Sequence, residues 1–171
     1  MKIASKFSNN SEIKFIIRPY AEEMLKILSI RYVIVIYTSS SLDYAKHIVK
    51  LFDKNRDYIS KILSRENCLV VNTKLIKDLR LISDRKIENS IIIDNNICCF
   101  YSCMNNGIYV KTFEGDCQDR ELKKIVKFLD KIKNCKDVRE EIKKKFGLEE
   151  SYKKYLKSNK KPVSFSSSFF K

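Results

Sequence analysis

The residues best suited to chemistry are Asp94 and Asn95, which directly follow the apolar run Ile91–Ile93. A short run of β-branched residues predicts a strand that is buried on both faces of a parallel sheet. Polar residues at the carboxyl end of such a strand lie where open α/β sheets bind ligands. Carboxylate and carboxamide oxygens are ligands that suit Mg²⁺. Asp and Asn also end strands in ordinary turns, so this segment alone leaves a metal site and a turn open.

A second apolar run, Val33–Tyr37, also ends in polar residues, namely Thr38 and three serines. With Ser90–Ile93 and Ile108–Val110, it predicts three neighbouring parallel strands. Because the carboxyl ends of parallel strands meet at one edge of a sheet, we expect Thr38 and Asp94 to lie at the same edge.

Apolar residues at helical spacing predict helices between and after these strands. The helices are expected to begin at Pro19 and to span Leu42–Phe52, Ile97–Met104, Asp119–Lys133, Val138–Phe146 and Glu149–Leu156. The segment Asn72–Lys74 predicts a hairpin between Cys68–Val71 and Leu75–Ile76, and Tyr58–Leu63 fits either a short helix or a strand. Helices that alternate with buried strands indicate an α/β fold with a largely parallel sheet.

Composition indicates a globular chain that attracts acidic partners. The 171 residues suit one domain, and 44% of them are hydrophobic. The net charge of +14 favours phosphopeptides, nucleic acid or anionic membranes as partners. Nucleic acid is disfavoured because the basic stretches are not interleaved with aromatic residues in a recognisable motif.

The six cysteines are best explained as reduced, partly buried thiols in a cytosolic or nuclear protein. They form no C-x-x-C pair, and the single histidine, His47, has no zinc-site spacing to them. The N-terminus shows no apolar secretory core. The apolar runs are too short to span a bilayer.

Several segments, taken in order, give the chain a family resemblance. It resembles the FCP-homology branch of the haloacid dehalogenase superfamily, whose members include the RNA polymerase II C-terminal-domain phosphatases. The match runs from about Phe15 to Phe146, and it is the ordered set of segments that is specific. The matching segments are Arg18–Pro19, Ile34–Ser40 with Tyr44–Ala45, Arg65–Cys68, Lys77–Leu79, Ile92–Asn95, Asn106–Ile108, Gly115–Asp116, Asp119–Leu122 and Asp137–Arg139.

The resemblance implies a Rossmann-like fold with a mainly parallel sheet and a phosphoprotein phosphatase activity. The family transfers a phosphoryl group from phosphoserine or phosphothreonine to an aspartate with the help of Mg²⁺, so positioning and charge stabilisation do most of the work. By resemblance, Thr38 hydrogen-bonds the phosphoryl group, Lys77 neutralises its charge, and Asp94 and Asn95 hold Mg²⁺. From composition alone, Thr38 would be a turn residue and Lys77 a member of a surface pair.

The chain departs from the family pattern at its start. The family nucleophile lies in a D-x-D-x-T motif on an apolar strand before the Arg-Pro element, whereas no Asp here precedes Asp43. We therefore expect the first core strand and the aspartyl nucleophile to be missing, so the chain as written is an inactive or incomplete phosphatase that binds Mg²⁺ weakly or not at all. Two alternatives stay open: a non-catalytic phosphopeptide- or protein-binding module, and a receptor-like subunit related to the mitochondrial inner-membrane translocase.

The same reasoning divides the chain and suggests its partners. We expect an N-terminal segment at 1–14, an N-terminally incomplete phosphatase-like domain at 15–158 and a flexible tail at 159–171. The expected partner is a phosphorylated protein or peptide, in the nucleus or cytoplasm rather than the mitochondrion. Exposed sheet edges would favour self-association.

Overall fold

The computed structural model describes residues 2–6, 12–53, 55, 57–82 and 86–158. Within these ranges the helices are α1 (Ala21–Ser29), α2 (Leu42–Phe52), α3 (Glu121–Ile132), α4 (Val138–Phe146) and α5 (Leu148–Ser158). The strands are β1 (Lys2–Lys6), β2 (Glu12–Ile16), β3 (Ile34–Tyr37), β4 (Ile59–Leu63), β5 (Leu69–Val71), β6 (Lys74–Ile76), β7 (Ile92–Asp94) and β8 (Gly107–Tyr109). Short 3₁₀ segments cover Arg65–Asn67, Leu79–Leu81, Ile87–Asn89 and Ile97–Asn106.

Two parallel strand pairs form the centre of the fold. β3 pairs with β4, with Ile36 opposite Ile62, and β7 pairs with β8, with Ile93 opposite Ile108. The other two pairs, β1 with β2 and β5 with β6, are antiparallel hairpins. Parallel core strands with helices between them confirm the predicted α/β class.

The predicted order of the core strands needs one correction. β7 and β8 are neighbours as expected, but the hydrogen-bonded partner of β3 is β4, and no ladder joins β3 to β7 among the described residues. Sequence left Tyr58–Leu63 undecided because Ser60 and Lys61 interrupt its apolar pattern. Both are exposed, since β4 is an outer strand. The four apolar residues of β3 are each only half-buried, in keeping with an edge that has no described partner.

The two parallel pairs nevertheless share one apolar core. Ile34 of β3 and Ile93 of β7 both pack against a cluster of buried side chains contributed by α1, α3, α4, β8 and nearby segments. The buried members of this cluster are Leu28, Ile108, Val110, Ile125, Phe128, Leu129, Ile132, Val138 and Ile142. A second cluster, formed by Leu25, Val49 and Ile59, joins α1 and α2 to β4. Shared packing therefore holds β3 and β7 in one molecule without a shared hydrogen-bond ladder.

Helix ends are where the sequence was most informative. α2 and α4 have the predicted bounds: the Ser41 hydroxyl accepts the Tyr44 N–H at 3.5 Å, and Gly147 adopts φ 52° after α4. α1 begins at Ala21, two residues after Pro19, because Tyr20 adopts a left-handed conformation with φ 67°.

The predicted helix at Ile97–Met104 is instead a kinked 3₁₀ segment with non-helical backbone at Phe100 and Cys103. The kink buries the Phe100 ring completely, and the ring lies where a β-carbon on Gly107 would stand. Glycine is therefore required where β8 begins, because any larger side chain would collide with this ring.

None of the helices in the described ranges is long and apolar enough to cross a bilayer. The predicted tail at 159–171 lies outside the described residues, and the division of the chain into three segments stays a prediction. Self-association through the unpaired edges of β3 and β7 also stays a prediction.

Candidate functional site

An ion pair between Lys77 and Asp94 forms the centre of the candidate site. Lys77 follows β6 and Asp94 ends β7, and the Lys77 Nζ lies 2.5 Å from the Asp94 Oδ2. Both side chains are 10% exposed, so the two charges interact in a medium of lower dielectric than water. The backbone N–H of Asn96 donates to the Asp94 Oδ1 at 2.8 Å, and that of Lys77 donates to the Cys99 carbonyl at 2.5 Å.

Thr38 lies at the carboxyl end of β3, as predicted. Its N–H donates to the Leu63 carbonyl at 2.9 Å, which extends the β3–β4 ladder by one bond. Its Oγ1 accepts the N–H of Ser40 at 3.1 Å and so fixes the turn after the strand. The hydroxyl is used as an acceptor in this contact, which leaves its proton available for an incoming acceptor.

Cys68 connects Thr38 to the ion pair. The thiol donates to the Thr38 carbonyl at 3.8 Å, and its pKa is raised by burial and partly offset by the positive charge of Lys77. The pKa of Cys99 is likewise raised by burial, then by the charge of Asp94, against an opposing effect of Lys77. The charges of the ion pair therefore influence the pKa of both thiols. Thr38 and Asp94 both stand at the carboxyl ends of parallel strands, β3 and β7, and their placement with Lys77 at one common edge stays a prediction.

Asn95 follows β7 and contacts Thr112. It is exposed, and its Nδ2 donates to the Thr112 Oγ1 at 3.0 Å. The amide nitrogen is occupied in this way, so the carbonyl oxygen of Asn95 is the atom left to act as a metal ligand.

The predicted Mg²⁺ ion would need oxygen ligands at this edge. Among the described residues no three His, Cys, Asp or Glu side chains form a group that could hold a metal ion. Mg²⁺ is usually held by one or two carboxylates together with water and substrate phosphate. Asp94 and Asn95 fit the ion in that limited sense, because they offer one carboxylate and one amide oxygen.

Asp78, beside Lys77, is not available for chemistry at this edge. Its carboxylate is buried and accepts bonds from the side chain and the backbone of Arg80, at 2.5 Å to Nη2 and 2.9 Å to the N–H. The hydrogen bonds from the Arg80 side chain lower the pKa of Asp78. The carboxylate is thus held as a charged structural group.

Sequence reasoning missed the roles of Thr112 and the two thiols at this edge. Thr112 follows β8 by three residues, so the strand-end logic that found Thr38 and Asp94 would also have found it. Cys68 and Cys99 gave no such signal, because neither lies at the end of a core strand. Four of the six cysteines are half-buried, namely Cys68, Cys98, Cys99 and Cys135, which fits the prediction of partly buried thiols.

Comparisons with known proteins agree on a family. A model of the family described as NLI interacting factor-like phosphatase matches residues 1–139. The chain is 34% identical over 144 residues to CTD small phosphatase-like protein 2 of Dictyostelium discoideum, an alignment that covers 83% of this chain and 25% of the relative. It is 31% identical over 124 residues to mitochondrial import inner membrane translocase subunit TIM50 of Yarrowia lipolytica, covering 71% and 26% of the two chains.

A solved structure shows the same fold. The fission yeast RNA polymerase II CTD phosphatase Fcp1-R271A bound to beryllium fluoride superposes with a TM-score of 0.53 at 18% identity, covering 92% of this chain and 51% of that chain. The chain thus spans a quarter of the Dictyostelium relative and about half of the solved phosphatase. The resemblance predicted from ordered sequence segments is confirmed, and the chain belongs to the NLI interacting factor-like phosphatase family, with the α/β fold of Fcp1.

Proposed function

We propose that this chain binds a phosphorylated serine or threonine segment of another protein at the edge formed by Thr38, Lys77 and Asp94. The observation that carries the proposal is the Lys77–Asp94 pair at 2.5 Å, which places a cation at the carboxyl end of a core strand. A lysine ammonium is a point charge suited to phosphate. The membership of a phosphatase family supports the same ligand class.

Each residue has a chemical role in this proposal. Lys77 has three N–H donors, one of which is directed to Asp94, and the others can face phosphoryl oxygens. The Thr38 hydroxyl donates to a further oxygen. Asp94 and Asn95 are the residues that would hold Mg²⁺, which when bound would offset phosphoryl charge.

We further propose that these 171 residues hold the phosphoryl group without releasing it. No D-x-D-x-T motif occurs in the sequence. Of the carboxylates at this edge, Asp94 is paired with Lys77 and Asp78 with Arg80. Neither is free to attack phosphorus, so no covalent phosphoaspartate forms on them.

Calorimetry with a phosphoserine peptide and its unphosphorylated twin tests the proposal. We expect binding of the phosphorylated form and no Mg²⁺-dependent release of phosphate from that peptide or from para-nitrophenyl phosphate. Lys77→Ala should weaken the binding of the phosphopeptide about tenfold and leave the binding of the unphosphorylated peptide unchanged. Lys74→Ala is the matched control, because Lys74 is exposed on the neighbouring strand β6 and should have no effect.

Two results would overturn the proposal. Equal affinity for both peptides would show that the phosphoryl group does not contribute to binding. Turnover by contaminant-free protein that is lost in Asp94→Asn would show that a carboxylate in these residues, such as Asp43 or Asp78, acts as the nucleophile.

A second candidate is a receptor-like role in protein import, favoured by the likeness to TIM50. It predicts binding of a basic amphipathic presequence peptide, whereas the first candidate predicts binding of a phosphopeptide. Competition between the two peptides for this chain separates the candidates. We propose a nuclear or cytoplasmic location with the first candidate and a mitochondrial one with the second.

A further inference from the structure

An exposed apolar surface lies at the end of α1, away from the Thr38–Lys77–Asp94 edge. Its members Ile27, Ile30 and Val33 are 51%, 78% and 54% exposed, and we call them the aliphatic patch. Val33 directly precedes β3, so the patch lies at the amino end of that strand, whereas Thr38 follows its carboxyl end. Three exposed β-branched side chains within seven residues make this stretch a candidate interaction surface.

Helix α3 runs beside α1 and in the same direction. At their amino ends, the Lys123 Nζ lies 3.8 Å from the centroid of the Tyr20 ring. At their carboxyl ends, the Tyr32 hydroxyl donates to the Leu129 carbonyl at 2.8 Å. The last turns of the two helices are therefore adjacent.

Exposed cations lie beside the patch in the chain and on the neighbouring helix α3, and we call them its basic border. Lys26 and Arg31 lie within the same stretch of chain, and Lys127 and Lys131 lie one turn apart on α3, four and eight residues after Lys123. A nearby acidic residue, Asp130, is engaged by Lys133 at 2.8 Å. Glu23, one turn before Ile27 on the same face of α1, is acidic, and the four cations outnumber it.

We propose that the aliphatic patch and its basic border dock this chain on an anionic lipid surface. Ile30 follows the last residue of α1 and protrudes, and a bilayer interface takes up protruding aliphatic side chains without a shaped pocket. Anionic headgroups attract the four border cations, and the net charge of +14 extends that attraction over a longer range. An acidic protein would need a matching cavity for the same side chains, and for that reason we favour the lipid surface.

Docking in this orientation would leave the phosphate-binding edge open. The patch and Thr38 are at opposite ends of β3, so a bilayer against Ile30 would not cover Lys77 or Asp94. The proposal consequently stands independently of the phosphopeptide function, and either can fail alone.

Vesicle flotation of the full 171-residue chain tests the apolar part of the proposal. Vesicles of phosphatidylcholine alone should not bind, and vesicles with about 30% phosphatidylserine should. The double variant Ile27→Ser/Ile30→Ser should lower partitioning at least about tenfold, because two aliphatic side chains no longer insert. Val70→Ser is the matched control, since Val70 is 72% exposed on β5 and lies outside the patch.

A second pair of variants tests the charged border. Lys127→Gln/Lys131→Gln should lower the partitioning and its sensitivity to salt, whereas Lys154→Gln/Lys157→Gln on α5 should have less effect. If a variant fails to fold, salt titration of the unsubstituted chain still measures how much of the binding is electrostatic. Equal binding to neutral vesicles, an equal loss in the Val70 control, or no vesicle binding would overturn the proposal. Binding to polyglutamate instead, with the same dependence on Ile27 and Ile30, would assign the surface to an acidic protein.

Discussion

Arg18 and Asp119 form one partly buried ion pair, and Lys77 and Asp94 form another. Their side chains are similarly exposed, 11% and 13% in the first pair and 10% in both members of the second. The first pair is a two-bond fork, with Arg18 Nε 3.0 Å from Oδ1 and Nη2 2.7 Å from Oδ2 of Asp119. Arg18 also donates to the Lys111 carbonyl at 2.7 Å, and the Glu121 N–H donates to Asp119 at 3.0 Å.

The second pair has fewer bonds. The Lys77 Nζ reaches Asp94 through one contact, and the other Asp94 oxygen accepts the N–H of Asn96. An ammonium also rotates about its stem, whereas a guanidinium presents its donors in a fixed plane.

Equal burial of the two ion pairs does not imply that they have equal roles. Arg18 and Asp119 saturate one another and tie the start of α1 to the start of α3 across 101 residues of sequence, which is a structural role. Lys77 keeps donors that a ligand could use. A pair that is incompletely satisfied by the protein is the better candidate for binding phosphate.

The largest expected effect is on stability, from Arg18→Met. Asp119 would stay partly buried without its cation, so the free energy of unfolding should fall by about 3 kcal/mol. Urea unfolding measures the change. Lys133→Met is the control, because its partner Asp130 is 65% exposed, and the change should stay below about 0.5 kcal/mol. Equal losses of unfolding free energy in the two variants would show that Arg18 has no special structural role.

A smaller loss of stability is expected from Lys77→Met. Asp94 would keep its bond from Asn96 and could gain water at the edge, so the free energy of unfolding should fall by about 1 to 2 kcal/mol. The same urea measurement applies. A loss larger than that in Arg18→Met would make Lys77 the structural member of the comparison.

The smallest effect concerns how the stability of the folded chain falls at acid pH. The hydrogen bond from Arg18 lowers the pKa of Asp119 below its ordinary 3.8. A carboxyl group with a depressed pKa stabilises the folded state fully above its unfolded value, and this contribution is lost as pH falls through the folded value. In Asp119→Asn, stability should therefore fall less steeply below about pH 4 than in the unsubstituted chain. Unchanged pH dependence in chemical unfolding at pH 5, 4 and 3 would contradict this.

Sequence predicted what short segments encode by themselves. The bounds of α2 and α4 followed from apolar residues at helical spacing, and Asp94 was found because an apolar strand leads into it. β4 was left undecided because an outer strand mixes exposed and buried residues.

Pairings between distant residues could not be predicted in the same way. In the sequence, Arg18 was interpreted as part of a family segment and Pro19 as the start of a helix. No sequence feature near Arg18 predicts that Asp119 is its partner. The Asn95–Thr112 contact joins the ends of two strands whose adjacency only the fold determines. Charge pairs of this kind depend on topology, so the roles of Arg18 and Thr112 required the structure.

The most direct test of the central claim is calorimetric titration of one phosphoserine peptide into Lys77→Met and Arg18→Met. We predict that Lys77→Met loses about tenfold in affinity for the peptide while most of its stability remains, because a phosphate-binding cation is gone. Arg18→Met, measured under conditions where it is folded, should bind the peptide as the unsubstituted chain does. Unchanged affinity in Lys77→Met, or an equal loss in both variants, would contradict the assignment of the Lys77–Asp94 edge as the phosphate site.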